Sequence, residues 1–223
     1  MSASHQGTHD LARGDSLVPA WLKELGRAVL GPIVRLALRL HLSPNVITIL
    51  GFLIVLAAAA VIALGYLLIG AAILVGGSAL DAVDGALARA RGGGTAFGSF
   101  LDSTLDRAGE AGVYLGIAAY YLANSPNPTW PVLAAILALA GSFMVSYSRA
   151  RAEGIGLTAA IGLAPRTERV VLIVAGLGLA GLGLSPALSG VLWAIAALTV
   201  ATTAQRIWHV WRLTEATSPG EQP

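Results

Sequence analysis

Four aspartates stand where so apolar a chain would carry none: Asp81, Asp84, Asp102 and Asp106. Asp81 and Asp84 are three positions apart and Asp102 and Asp106 four, so on helices each pair shares one face. Gly92-Gly93-Gly94 lies between the pairs and reads as a turn. In an antiparallel hairpin centred on Gly93, Asp84 is level with Asp102, and Asp81 with Asp106 to within a residue. Gly85, Ala88 and Gly98 are expected to let the two helices pack closely on each other. Carboxylates gathered this way repel one another unless something neutralises them. Hard divalent cations such as Mg²⁺ do so with oxygen ligands, leaving positions for substrate phosphates. Two such ions suit the attacking and leaving oxygens of an in-line displacement at phosphorus. A purely structural cluster of ion pairs with Arg89, Arg91 and Arg107 is the alternative, but the segment holds more acid than three arginines balance.

The elements that must position these groups are membrane helices. Of 223 residues, 56% are hydrophobic and 12% charged, about half the charge of an ordinary soluble domain. Uncharged apolar stretches run for about 20 residues, the length of a helix that crosses the hydrocarbon core. Open sheets are excluded there, because lipid offers exposed backbone groups no partner. The expected fold is therefore all-α and integral to the membrane, with six transmembrane helices. The spans fall near 45–64, 67–89, 96–122, 130–151, 167–184 and 186–207. Before them, residues 1–16 read as a disordered cytoplasmic tail. Residues 17–42 read as an amphipathic interfacial helix, with Trp21, Leu22 and Leu25 opposite Lys23, Glu24 and Arg27. The membrane domain then covers 43–212, and 213–223 form a second cytoplasmic tail. The polar start predicts no cleavable signal peptide, and the absence of cysteine excludes disulfides and thiolate metal sites.

Charge placement orients this bundle. All 14 Lys and Arg residues fall on one side of the six-span layout, and the three loops of the other side carry no charge. The positive-inside rule then puts both termini in the cytoplasm of a multi-pass cell-membrane protein. The carboxylates lie near the cytoplasmic turn and no internal repeat is evident, which argues against a small cation transporter with a midplane site.

The segment DAVDGALARARGGGTAFGSFLDSTLD resembles the signature of the CDP-alcohol phosphotransferases, from Asp81 through Asp84, Gly85, Ala88, Arg89, Gly98 and Asp102 to Asp106. The six-span layout and the amino-terminal helix are similar to that family too. The resemblance implies an enzyme that transfers a substituted phosphate from a CDP-linked lipid, most often CDP-diacylglycerol, to an acceptor hydroxyl, releasing CMP. It implies that Asp81, Asp84, Asp102 and Asp106 hold Mg²⁺ or Mn²⁺, with two ions expected, and that Asp106 is the general base. It also implies that Asp81, Asp84, Gly85, Ala88, Arg89 and Gly98 shape the CDP pocket beside Pro44, Asn45 and Thr48. The partners implied are membrane lipid and a second copy in a homodimer, with no nucleic acid.

Within that family, DSTLDR is similar to the phosphatidylinositol phosphate synthases of actinobacteria and the archaetidylinositol phosphate synthases. So are the segments Ser146–Glu153 and Arg166–Arg169, although Pro165 stands where that branch usually has an acidic residue. An inositol phosphate is the acceptor this implies; phosphatidylglycerophosphate synthase is the alternative. Arg107, Arg149, Arg151, Arg166 and Arg169, with Ser146, are the candidate acceptor-phosphate ligands, since guanidinium groups suit bidentate phosphate recognition. Gly176-x-Gly178-x-x-Gly181 matches a dinucleotide fingerprint by letter only; inside an apolar span it reads as helix packing. Gly112-x-x-x-Gly116 can pack spans within one chain or between two.

Overall fold

Two of the helices that build the site begin on a capping side chain. The computed structural model describes residues 31–217. Residues 31–39 are helical and are followed by α1 (Pro44–Ala63), α2 (Leu67–Ala90), α3 (Ala96–Asn124), α4 (Thr129–Glu153), α5 (Arg166–Gly181) and α6 (Pro186–Thr217). No strand occurs among the described residues. Ser43 caps α1 by accepting from the Val46 amide at 3.3 Å, and Pro44 fits its first turn, where no amide donor is needed. Thr95 caps α3 in the same way, accepting from the Gly98 amide at 3.0 Å.

The helices follow the predicted spans closely, with one extension. Helix α6 continues to Thr217, so residues 213–217 belong to it and not to a tail. The predicted tails 1–16 and 218–223 lie outside the described residues, as does 17–30 of the predicted interfacial helix. Its remaining part, 31–39, buries Ala37 against Ile47, Val83 and Leu87 and leaves Arg35 and Arg39 exposed.

The hairpin of α2 and α3 is built differently from the sequence expectation. The two helices do not pack along each other; each packs on α1, which lies between them. Gly116 of α3 meets the backbone of Ala59 so closely that a Cβ there would collide with the Ala59 carbonyl. Gly112 meets Leu56 of the same helix, so this small-residue motif packs α3 on α1 within the chain. Helix α2 crosses α1 where Gly77 meets Val55 and Ile54. Helices α4, α5 and α6 form the other half of the bundle, joined to the first where α3 meets α4 and α2 meets α5. Gly176 packs on Val191 and Leu188 of α6, and Gly181 on Leu68 of α2, so two of the three fingerprint-like glycines are packing positions; Gly178 meets no neighbour.

One apolar core runs through both halves, with Ile62, Ile117, Leu177, Leu188, Leu192 and Ile195 fully buried. The outside is apolar as well: Leu53, Ile69, Leu115, Leu122, Val171 and Val200 are all more than half exposed. Among the described residues, four helices, α1, α2, α4 and α6, are long and apolar enough to cross a membrane. Helix α3 carries Asp102, Asp106, Arg107 and Glu110, and α5 has only 16 residues, ~24 Å of helix.

Candidate active site

Because α1 holds α2 and α3 apart, their carboxylate faces look at each other across a cleft. The level pairing expected from the turn is what the structure contains. Asp84 and Asp102 line one cavity of about 470 Å³. One step deeper, the Arg166 guanidinium bridges Asp81 and Asp106, its NH1 2.8 Å from an oxygen of each. The Thr48 hydroxyl of α1 donates to Asp84 Oδ2 at 2.6 Å, fixing that carboxylate from the third helix.

Two helix starts converge on the cavity that Asp84 and Asp102 line. Ser43, Pro44 and Asn45 at the head of α1 and Thr95, Gly98 and Ser99 at the head of α3 all line it. The free amides of a helix amino terminus favour an anion. Gly85 and Ala88 line it too, so these small residues border open space and not a neighbouring helix. A Cβ on Gly98 would stand 3.0 Å from Asn45 Oδ1 and 3.1 Å from Thr95 Oγ1. Of the predicted CDP-pocket residues, Pro44, Asn45, Thr48, Asp84, Gly85, Ala88 and Gly98 share this cavity. Asp81 lies deeper, beside Asp106 and Arg166. Arg89 does not line the cavity; Arg91 does, together with Gly93 and Gly94 of the turn.

A second cavity, of about 570 Å³, opens on the other side of α3. It is lined by Ser103, Arg107, Ser146, Tyr147, Arg149 and Glu153, and it shares Ser99 and Asp102 with the first. Arg149 donates to Glu153 at 2.8 Å, and Arg107 to the Ser103 carbonyl at 2.9 Å. Arg107, Ser146 and Arg149 therefore stand together in one cavity.

The other predicted acceptor ligands do not join them. Arg151 is exposed outside this lining. Arg169 is 1% exposed and is fully occupied: Nε and NH2 reach Glu110 at 2.7 and 2.8 Å, and NH1 reaches the Ala164 carbonyl at 2.7 Å. The charge spacing on α5 concealed this division of labour, because Arg166 and Arg169 share a helix face yet lie at different depths. Glu110 extends the Asp102–Asp106 stripe by one more turn, and that spacing is the signal that would have found it.

The connection 154–165, which delivers Arg166, is tied down by α6. Thr202 Oγ1 accepts from the Leu163 and Ala164 amides, both at 3.1 Å. Arg206 donates through Nε to the Ile161 carbonyl at 2.8 Å and through NH1 to the Val145 carbonyl. Gly162, at φ +137°, lies so close to Thr202 that a side chain there would collide with it. Neither Thr202 nor Arg206 carries a motif that would announce this role.

The donor set suits a hard divalent cation: carboxylate oxygens from two facing helices, without thiolate or imidazole. Among the described residues no three such side chains yet converge tightly enough to enclose an ion; between Asp81 and Asp106 the place is held by Arg166.

The same arrangement has relatives of known name. Residues 41–209 match the family model for CDP-alcohol phosphatidyltransferase. The archaetidylinositol phosphate synthase of Methanothermobacter thermautotrophicus is 41% identical over 187 residues, 81% of this chain and 92% of that protein. The phosphatidylinositol phosphate synthase of Mycobacterium bovis is 38% identical over 196 residues, 85% of this chain and 86% of that protein. The crystal structure of the Mycobacterium tuberculosis phosphatidylinositol phosphate synthase with CDP-DAG bound superposes with a TM-score of 0.77 at 37% identity, covering 86% of this chain and 96% of that one. A second structure of that enzyme, in complex with manganese and citrate, gives the same TM-score and identity, covering 86% of this chain and 90% of that one. With a match over residues 41–209 that includes the carboxylate segment, this chain belongs to the CDP-alcohol phosphatidyltransferase family.

Proposed function

We propose that the protein transfers the phosphatidyl group of CDP-diacylglycerol to a hydroxyl of an inositol phosphate, releasing CMP. The observation that carries this is the meeting of two cavities at Asp102 and Ser99, one lined by glycine and faced by two helix starts, the other lined by Arg107, Ser146 and Arg149. The names of the archaeal and mycobacterial relatives support the inositol phosphate acceptor, and the CDP-DAG complex supports the donor.

In this account the first cavity takes the cytidine diphosphate, with the amides at the heads of α1 and α3 directed at its anionic oxygens. The second takes the acceptor, its phosphate on Arg107 and Arg149. Asp106 removes the proton of the acceptor hydroxyl. The hydroxyl oxygen forms the new bond to the lipid-bearing phosphorus as the diphosphate bond breaks, and the electron pair leaves with CMP. Asp81, Asp84, Asp102 and Asp106 are the residues that would hold Mg²⁺ or Mn²⁺, which when bound offsets the negative charge building on the phosphoryl oxygens. The number expected is two. Thr48 keeps Asp84 turned toward the cavity.

Six membrane crossings with both termini in the cytoplasm complete the proposal. Six successive helices support the count, and α3 turns its charged residues toward the cleft. The uncharged connections 64–66, 125–128 and 182–185 lie at the end of the bundle opposite the arginines. The proposed homodimer must use other faces than Gly112 and Gly116, which α1 covers.

CMP release from CDP-diacylglycerol, compared across inositol phosphate, glycerol 3-phosphate, inositol and serine, tests the assignment. Release that depends on inositol phosphate is expected; release driven by glycerol 3-phosphate alone would move the protein to another branch of the family.

A further inference from the structure

Arg166 and Arg169 are three residues apart on one face of α5 and both meet acidic residues of α3, yet they are held in opposite ways. Arg169 spends every nitrogen: two on Glu110 and one on the Ala164 carbonyl. Arg166 spends one. Its NH1 alone reaches both Asp81 and Asp106, while its Nε is buried without any partner. A guanidinium built for permanent pairing uses its fork. The Arg166 side chain also remains 31% exposed against 2% for Arg169, so it is not enclosed by the protein as Arg169 is.

The oxygens Arg166 holds belong to two of the four cleft carboxylates. One guanidinium charge, helped by Arg107 at 3.7 Å from Asp106, leaves a cluster of four carboxylates under-neutralised. A divalent cation offers the same oxygens twice the charge in a smaller radius. It cannot share the space between Asp81 and Asp106 with NH1.

We propose that Arg166 is a displaceable counter-ion: it bridges Asp81 and Asp106 while no divalent cation is bound, and the cation must evict it to load the site. This rests on the carboxylates being the cation ligands, as in the function proposed above. Its consequence is that the chain keeps the cleft folded without metal and sets its own metal threshold.

The test measures Mn²⁺ binding to the full-length protein in detergent by electron paramagnetic resonance, without substrates. Arg166→Gln is expected to bind Mn²⁺ about tenfold more tightly than wild type, since the competing charge is gone. Arg166→Lys keeps a competing charge and should stay within about threefold of wild type. Arg107→Gln is the control for general electrostatics; it stands beside Asp106 without bridging, so a change of at most about threefold is expected. Thermal unfolding gives an independent readout. Metal-free Arg166→Gln should melt below wild type, and saturating Mn²⁺ should raise its melting temperature by more than it raises that of wild type. Equal Mn²⁺ affinity in wild type and Arg166→Gln, or equal tightening in Arg107→Gln, would overturn the proposal while leaving the cation site intact. No Mn²⁺ binding to any of these proteins, with Asp106→Asn indistinguishable from them, would remove the carboxylate cation site itself.

Discussion

Arg169 closes on both oxygens of Glu110 in the interior, one turn deeper on each helix than the place where Arg166 meets Asp106. The pair therefore sets how α5 sits against α3, and with it where Arg166 falls. Removing one partner strands a buried charge, at a cost of about 3–5 kcal/mol. Arg169→Met and Glu110→Leu should each lower the melting temperature sharply in detergent. The double variant should recover much of the loss, because a buried pair can be replaced by apolar packing. A double variant as unstable as the sum of the singles would contradict this.

Thr202 shows how the far helix reaches the site. Thr202→Val removes the acceptor of the Leu163 and Ala164 amides, leaving two donors unmet at roughly 1–3 kcal/mol each. Gly162→Ala attacks the same joint through its positive φ and its contact with Thr202. Both should reduce turnover and increase proteolysis within 154–165, as read by limited digestion.

Thr48→Val keeps the shape of α1 but takes away the 2.6 Å hydrogen bond to Asp84. A group that orients a ligand in this way is typically worth about 10- to 100-fold in metal affinity or activity. The expected result is a fall in kcat, with the KM for the acceptor little changed.

The two arginines of α4 separate binding from bystander. Arg149 lines the second cavity and Arg151 does not. Arg149→Ala should raise the acceptor KM at least about tenfold, as loss of a charged phosphate contact does. Arg151→Ala should leave it within about twofold.

Much of this was legible in the residues. Helix limits followed hydropathy, and the level pairing of Asp84 with Asp102 and of Asp81 with Asp106 followed from the position of the glycine turn. What stayed hidden was three-dimensional. Small residues at Gly85 and Gly98 read equally well as a helix contact or as the lining of a cavity, and only the insertion of α1 between α2 and α3 decides it. Likewise, Arg166 and Arg169 have the same type and face, and only depth makes one a cleft residue and the other a buried strut. Thr202 and Arg206 act on backbone groups some forty residues away, a partnership no local spacing encodes.

The most direct measurement is CMP release by the purified protein from CDP-diacylglycerol with Mg²⁺ or Mn²⁺ and inositol phosphate, for wild type and Asp106→Asn. The expected result is release that requires both cation and acceptor, stops on chelation, and falls by at least about 10²-fold in the variant. Full release from Asp106→Asn, or none from wild type with any acceptor, would contradict the account.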